Sequence, residues 1–219
     1  MPDNQQSIIT QTEDFVRTTL ADAEGGHDWW HTLRVRDLAR HIAETEPGDR
    51  FVVELGALLH DIADPKFNQG DEEAGPRKAS AFLKSLNTDP EVTTHVENIV
   101  RHVSFKGGTH PREFHSPELA IVRDADRLDA MGAIGIARTF NFGGFKNREI
   151  YNPGIPPKPD MTKEEYKQST SPTINHFYEK LLLLKDRMNT ATGKAMAEHR
   201  HRFMEQFLEE FFREWNGEL

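Results

Sequence analysis

Three places in this sequence put polar side chains on helix faces that are otherwise apolar. His31 shares its face with three apolar residues further along the chain, Val35, Leu38 and Ile42. The pair His60-Asp61 stands near the end of the apolar stretch GALLHDI. Asp124 shares its face with Ile121, Leu128 and Met131. A buried carboxylate is costly unless it is paired or bound to a cation, so each of these residues needs a partner.

Together, the two imidazoles and two carboxylates form a donor set for one divalent cation. Mixed nitrogen and oxygen ligands suit Mn²⁺, Fe²⁺ or Zn²⁺, and four protein ligands leave open positions on an octahedral ion. His60 and Asp61 point about 100° apart around a helix. Both can therefore reach one ion only at a helix edge, which the groove of a helical bundle provides. For each residue alone, a hydrogen-bonded or ion-paired core residue remains the alternative.

Composition excludes several other classes of site and partner. The 219 residues include 27 Lys and Arg against 36 Asp and Glu, which gives a net charge of −9. Such a balance argues against duplex nucleic acid or an anionic membrane as a partner. The absence of Cys excludes disulfides, thiolate ligands and a Cys nucleophile, whereas 11 histidines remain for metal chemistry. The sequence shows neither a signal-peptide pattern nor a membrane-length apolar run, so we expect a cytoplasmic protein.

The elements that must position these residues are all helical. Apolar residues at helical spacing predict an all-α bundle with helices over 8–20, 30–42, 52–62, 76–86, 89–103, 116–139, 174–188 and 194–215. The Gly/Pro-rich segment 141–172 predicts a long loop, either a functional lid or a disordered connection. We expect 143–172 to be a mobile flap near the mouth of the site, partly ordered by substrate. We expect one domain over 1–219, with a core at about 26–140 and the two C-terminal helices, in 173–219, packed against it.

The order His31, His60-Asp61, Asp124 resembles the signature of the HD-domain metal-dependent phosphohydrolases. The segments around these residues resemble the small bacterial YedJ/YpgQ-like branch of that family. They are HDWWHTLRV, ALLHDIADPKF and DADRLDAMGAIGIARTF. Two C-terminal segments are similar to that branch as well, namely TINHFYEKLLLLKDRMNT and FMEQFLEEFFREW. The likeness therefore spans most of the chain.

This resemblance implies that His31, His60, Asp61 and Asp124 bind a divalent metal ion. Mn²⁺ is favoured, with Mg²⁺, Ni²⁺, Fe²⁺ or Zn²⁺ as alternatives. It also implies that Asp64, one helical turn beyond Asp61, orients or deprotonates the attacking water.

Further residues are candidates for phosphate binding. Lys66 follows the motif, Arg127 lies three residues after Asp124, and His27 precedes His31 by one turn. Each supplies a donor for a phosphate oxygen, although each has a nearby Asp with which it could pair instead. His102 is a candidate for a second metal ion or a phosphate, by analogy with two-metal members of the superfamily.

The predicted function is hydrolysis of phosphorylated small molecules, with nucleotides as the favoured substrates. The branch suggests a nucleoside triphosphate pyrophosphohydrolase, and a related phosphomonoesterase or phosphodiesterase stays open. Two alternatives belong to other classes. An HD-type di-iron oxygenase would need more histidine ligands than the sequence clearly supplies, and a nucleotide-binding module without turnover would be expected to have lost metal ligands. The sequence leaves open whether the chain forms a homodimer.

Overall fold

The computed structural model describes residues 2–21, 28–63, 71–103, 114–162, 165 and 168–218. These ranges contain helices and no β-strand, which confirms the predicted all-α class. By its internal contacts, the chain divides into two compact units, 1–126 and 127–219. The expectation of a single domain over the whole chain stays a prediction. Of the helices within the described ranges, none has both the length and the apolar character needed to cross a membrane.

The first unit is built around one helix that is buried on all sides. Its helices are α1 (Asp3–Thr19), α2 (Trp29–Ile42), α3 (Arg50–Leu59), α4 (Ala74–Ser85), α5 (Pro90–His102) and the greater part of α6 (Pro117–Asp129). In α3 every residue from Phe51 to Leu59 is buried. Such a helix is stable only at the centre of a core, and α3 packs against α1, α2 and α5. The polar pair His60-Asp61 follows directly where this central helix ends.

Aspartates fix the starts of three of these helices. The carboxylate of Asp28 accepts a hydrogen bond from the His31 amide at the start of α2. Asp49 and Asp89 cap α3 and α5 in the same way. Each cap satisfies an amide that has no partner within its helix. His31 is therefore held in the first turn of α2 by the residue that begins that helix.

The second unit begins with the last three residues of α6, at 127–129. It continues with α7 (Gly132–Phe145), α8 (Asn175–Glu179), two 3₁₀ turns (Leu181–Leu183 and Lys185–Arg187) and α9 (Ala191–Trp215). Within this unit α7 packs against α9.

Two of the predicted helices are wrong in extent. The helix expected over 116–139 is two helices, because Met131 is extended and Gly132 adopts a left-handed conformation with φ of 68°. Glycine adopts this conformation at little cost, so the chain turns there. The helix expected over 174–188 is α8 followed by the two 3₁₀ turns.

The Gly/Pro-rich connection starts later than predicted, and hydrogen bonds join its first residues to its last. Because α7 continues to Phe145, helix occupies the first residues of the expected loop. The amides of Thr173 and Ile174 donate to the carbonyls of Glu149 and Ile150, at 2.8 and 3.0 Å. The Asn175 side chain donates to the Ile155 carbonyl at 2.9 Å. These bonds tie the first residues of the connection to the start of α8, and the mobile flap stays a prediction.

Candidate metal centre

Two buried histidines face each other at the end of α3. His31, in the first turn of α2, and His60, just after α3, bring their Nε2 atoms to 3.2 Å. The side chain of each is only 1% exposed. The Nδ1 of His60 donates a hydrogen bond to the Ala57 carbonyl oxygen at 2.8 Å. Because a carbonyl only accepts, this bond fixes the proton on Nδ1 and directs Nε2 toward His31.

Two imidazole nitrogens at this separation need something positive between them. Both Nε2 atoms carry a lone pair when neither is protonated, and the lone pairs repel. A proton on one nitrogen, or a cation bound to both, relieves the repulsion. The arrangement therefore has the donor chemistry of a metal site, in which the second ring nitrogen is hydrogen-bonded to the protein.

Two carboxylates add negative charge to the histidine pair. The Oδ2 of Asp61 lies 3.4 Å from the Nε2 of each histidine. The Oδ1 of Asp126, on α6, lies 3.6 Å from His31 Nε2 and 3.9 Å from His60 Nε2. The Asp61 side chain is 16% exposed and that of Asp126 is 40% exposed. The donor set is thus buried on the histidine side and opens to solvent on the carboxylate side.

The electrostatics of this cluster favour a positive charge. Burial by itself lowers the pKa of His60. The carboxylates of Asp61 and Asp126 and the bond to Ala57 outweigh burial and raise the pKa to about 9. A group of donors that stabilises a proton so strongly also stabilises a metal cation at the same place.

The aspartate that α6 brings to the histidines is Asp126, which the sequence reasoning missed. The donor atoms of His31, His60 and Asp126 all lie within 4.8 Å of one another. Asp124, the predicted ligand, is two residues away, about 200° around the helix, and is fully buried. The apolar pattern singles out Asp124 because Asp124 is the buried aspartate. Asp126 lies at the edge of a groove and is partly exposed, so it does not interrupt that pattern. The assignment of Asp124 as a ligand stays a prediction.

Of the other predicted site residues, the structure describes Arg127 and His102. His27, Asp64 and Lys66 fall outside the described residues. Arg127 donates a hydrogen bond to the carbonyl oxygen of Arg187. His102, at the end of α5, donates from Nδ1 to the Asn98 carbonyl at 2.8 Å, and its ring lies beside Phe114.

The same part of the chain matches a known family. The HD domain family matches residues 29–131, which include His31, His60, Asp61 and Asp126. The protein YpgQ of Bacillus subtilis is 38% identical over 208 residues, which cover 94% of this chain and 93% of YpgQ. The chain belongs to the HD-domain family.

Solved structures of HD-domain proteins show the same fold. An HD-superfamily hydrolase from Bacillus thuringiensis has a TM-score of 0.77 and 46% identity, with 97% of this chain and 98% of that chain covered. The structure of Bacillus subtilis YpgQ in complex with ADP has a TM-score of 0.77 and 34% identity, with 96% of each chain covered. These relatives support hydrolase activity in general for this HD-domain protein, and the HD domain implies a divalent metal ion.

Proposed function

We propose that this protein is a metal-dependent phosphohydrolase that acts on nucleotides. The observation that carries the proposal is the histidine pair, whose Nε2 atoms lie 3.2 Å apart with an Asp61 oxygen 3.4 Å from each. Family membership supplies the class of reaction, and the donor set supplies the residues.

The donors present fit a divalent ion. His31 and His60 would hold it through Nε2, and Asp61 and Asp126 would hold it through one oxygen each. We favour Mn²⁺, because two nitrogen and two oxygen donors suit a borderline ion that accepts further ligands. When bound, such an ion polarises a phosphoryl oxygen and lowers the pKa of a coordinated water. The protein's part is to fix the His60 ring through its bond to Ala57 and the backbone of His31 through the cap on α2.

The proposed substrate is a nucleoside triphosphate. The support is that YpgQ, which is similar over nearly the whole chain, was crystallised with ADP. We propose release of pyrophosphate, with phosphomonoester or phosphodiester hydrolysis as related alternatives. Lys66, Arg127 and His27 are the proposed phosphate contacts, because each carries a donor close in sequence to one of the predicted ligands. His102 is a proposed second phosphate or metal contact, by analogy with two-metal members of the superfamily.

Asp64 is the proposed acceptor of the proton from the attacking water. It follows Asp61 by three residues, and we propose that its carboxylate acts beside the ion without being a member of the donor set. We expect Asp64→Asn to lower kcat by roughly 10²–10⁴-fold, the usual contribution of a positioned acid-base group. Metal content, measured by elemental analysis, should stay at the wild-type level. Loss of metal together with activity would make Asp64 a ligand or the support of one.

A metal and substrate screen tests the function. Metal-stripped protein is assayed with Mn²⁺, Mg²⁺, Ni²⁺ or Zn²⁺ against nucleoside mono-, di- and triphosphates, and the products are separated into orthophosphate and pyrophosphate. We expect Mn²⁺-dependent release of pyrophosphate from triphosphates. Nucleotide binding without turnover under every condition would favour the binding module, and oxygen uptake with bound iron would favour the oxygenase.

Two histidines on α2 provide a matched pair for this screen. His31→Ala removes a proposed ligand, whereas His41→Ala removes a side chain that is 61% exposed and lies beside Glu44. We expect the first variant to lose bound metal and activity together and the second to keep both. Equal activity in the two variants would contradict the proposed site.

A further inference from the structure

The end of α6, which follows Asp126, is held by a side chain from late in the chain. The helix ends at Asp129, and the carbonyl groups of a last helical turn lack amide partners within the helix. Arg200, on α9, donates a hydrogen bond from Nη1 to the Leu128 carbonyl oxygen. The Leu128 carbonyl oxygen also accepts the Met131 amide at 3.0 Å. Arg200 therefore adds a second, charged hydrogen bond, which interacts favourably with the negative end of the helix dipole.

Close packing keeps Arg200 in position. A Cβ atom at Gly132 would lie 3.1 Å from Cγ of Arg200, so the stem of the arginine covers the glycine closely. Burial lowers the pKa of Arg200, and the Asp129 carboxylate opposes this effect. Asp129 is itself only 1% exposed and pairs with Arg138 at 2.5 Å. Two arginines thus bind consecutive residues, 128 and 129, at the end of α6.

We propose that Arg200 is a positioning residue for the metal centre, because its cap on the end of α6 keeps the Asp126 carboxylate beside the histidine pair. This inference rests on the proposed function, in which Asp126 is a ligand. Asp126 is three residues from the end of α6. Loss of this charged hydrogen bond would loosen the last turn, and metal–ligand distances normally lie within about 0.2 Å of their standard values. His31 and His60 belong to other elements, so the loss should be specific to Asp126.

Mn²⁺ titration of Arg200 variants of the full chain tests the proposal. Arg200→Met removes the donor, and Arg200→Lys keeps the charge and one flexible donor. Arg202→Met is the control, since Arg202 is exposed on the same helix. We expect Arg200→Met to raise the Mn²⁺ dissociation constant by about 10–100-fold, the usual effect of losing a group that supports a ligand. Arg200→Lys should recover part of this loss, and Arg202→Met should match the wild type.

A double-mutant cycle separates positioning from general destabilisation. If Arg200 acts through Asp126, Arg200→Met should weaken Mn²⁺ binding much less in an Asp126→Asn background than in the wild type. Equal losses in the two backgrounds would overturn the proposal, as would unchanged Mn²⁺ binding by Arg200→Met. If Arg200→Met does not fold, Arg200→Lys serves as the test variant. Weaker Mn²⁺ binding by Arg200→Lys at an unchanged unfolding midpoint supports the proposal. Unchanged Mn²⁺ binding overturns it. Absence of Mn²⁺ binding by the wild type would instead refute the proposed function on which the inference rests.

Discussion

Asp124 and Asp126 lie on one helix, two residues apart, in opposite environments. Asp124 is fully buried, whereas the Asp126 side chain is 40% exposed with an oxygen 3.6 Å from His31 Nε2. We expect Asp126→Asn to lower the bound Mn²⁺ measured by elemental analysis. We expect Asp124→Asn to lower the unfolding midpoint, because it disturbs a buried charged group and its partners.

The same two variants can also show that Asp124, and not Asp126, is the metal ligand. Loss of Mn²⁺ from Asp124→Asn at an unchanged unfolding midpoint, with Asp126→Asn fully loaded, would make Asp124 the ligand. Both substitutions keep the shape of the side chain and remove one negative charge. Any difference between the two variants in bound Mn²⁺ or in unfolding midpoint therefore reflects the position of the aspartate on α6.

Single residues also show how far the sequence predicts the site. The structure brings together His31, His60 and Asp61, which the sequence predicts as a group because each interrupts an apolar face or run. Asp126 was not predicted, because its partly exposed position gives no conflict with the apolar pattern. Burial can be read from periodicity, but the direction in which a groove opens depends on how several helices pack.

At the scale of the element, we expect alanine substitutions at two glycines of α7 to have opposite effects on stability. A Cβ atom at Gly135 would lie 2.2 Å from the Ala130 carbonyl oxygen, whereas a Cβ atom at Gly144 would meet no atom within 4 Å. We expect Gly135→Ala to reduce the free energy of unfolding by about 1–3 kcal/mol, because a backbone atom must move. Gly144→Ala should increase it by roughly 0.5–1 kcal/mol, since alanine favours helix. Urea unfolding of the two variants measures both changes in the free energy of unfolding. Equal changes would contradict the close approach of residue 135 to the Ala130 carbonyl oxygen.

The helices themselves were predictable where local signals agree. α5 runs over Pro90–His102 with the Asp89 cap, close to the predicted 89–103. The break between α6 and α7 was not predicted, because the apolar pattern continues through Met131 and Gly132. A glycine within a periodic run is also compatible with a continuous helix. The sequence therefore does not show that Gly132 adopts a left-handed conformation with Arg200 packed against it.

At the scale of the whole molecule, one histidine makes stability depend on pH. Burial and the cations Lys180 and Arg148 lower the pKa of His176 to about 3, whereas a histidine in an unfolded chain titrates near 6.5. Between these values the unfolded chain binds a proton that the folded chain does not. The free energy of unfolding should therefore fall as the pH drops below 6.5, by about 2 kcal/mol at pH 5.

Replacement of His176 isolates this effect from other titrating groups. We expect His176→Gln to lose less stability than the wild type between pH 7.5 and pH 5, as measured by urea unfolding. His41→Gln, at an exposed position on α2, should follow the wild type. Identical losses in wild type and His176→Gln would show that His176 is protonated in the folded chain.

The bond from His60 to Ala57 has a consequence for calorimetry. With Nδ1 committed to the carbonyl and a pKa of about 9, His60 in the metal-free protein holds its second proton on Nε2 at pH 7. An ion that binds Nε2 must displace that proton into the buffer. The heat of Mn²⁺ binding should therefore differ between buffers of different ionisation enthalpy, and the apparent affinity should rise by about tenfold per pH unit until the pH approaches 9. A heat independent of the buffer would mean that the ion enters without exchanging places with a proton.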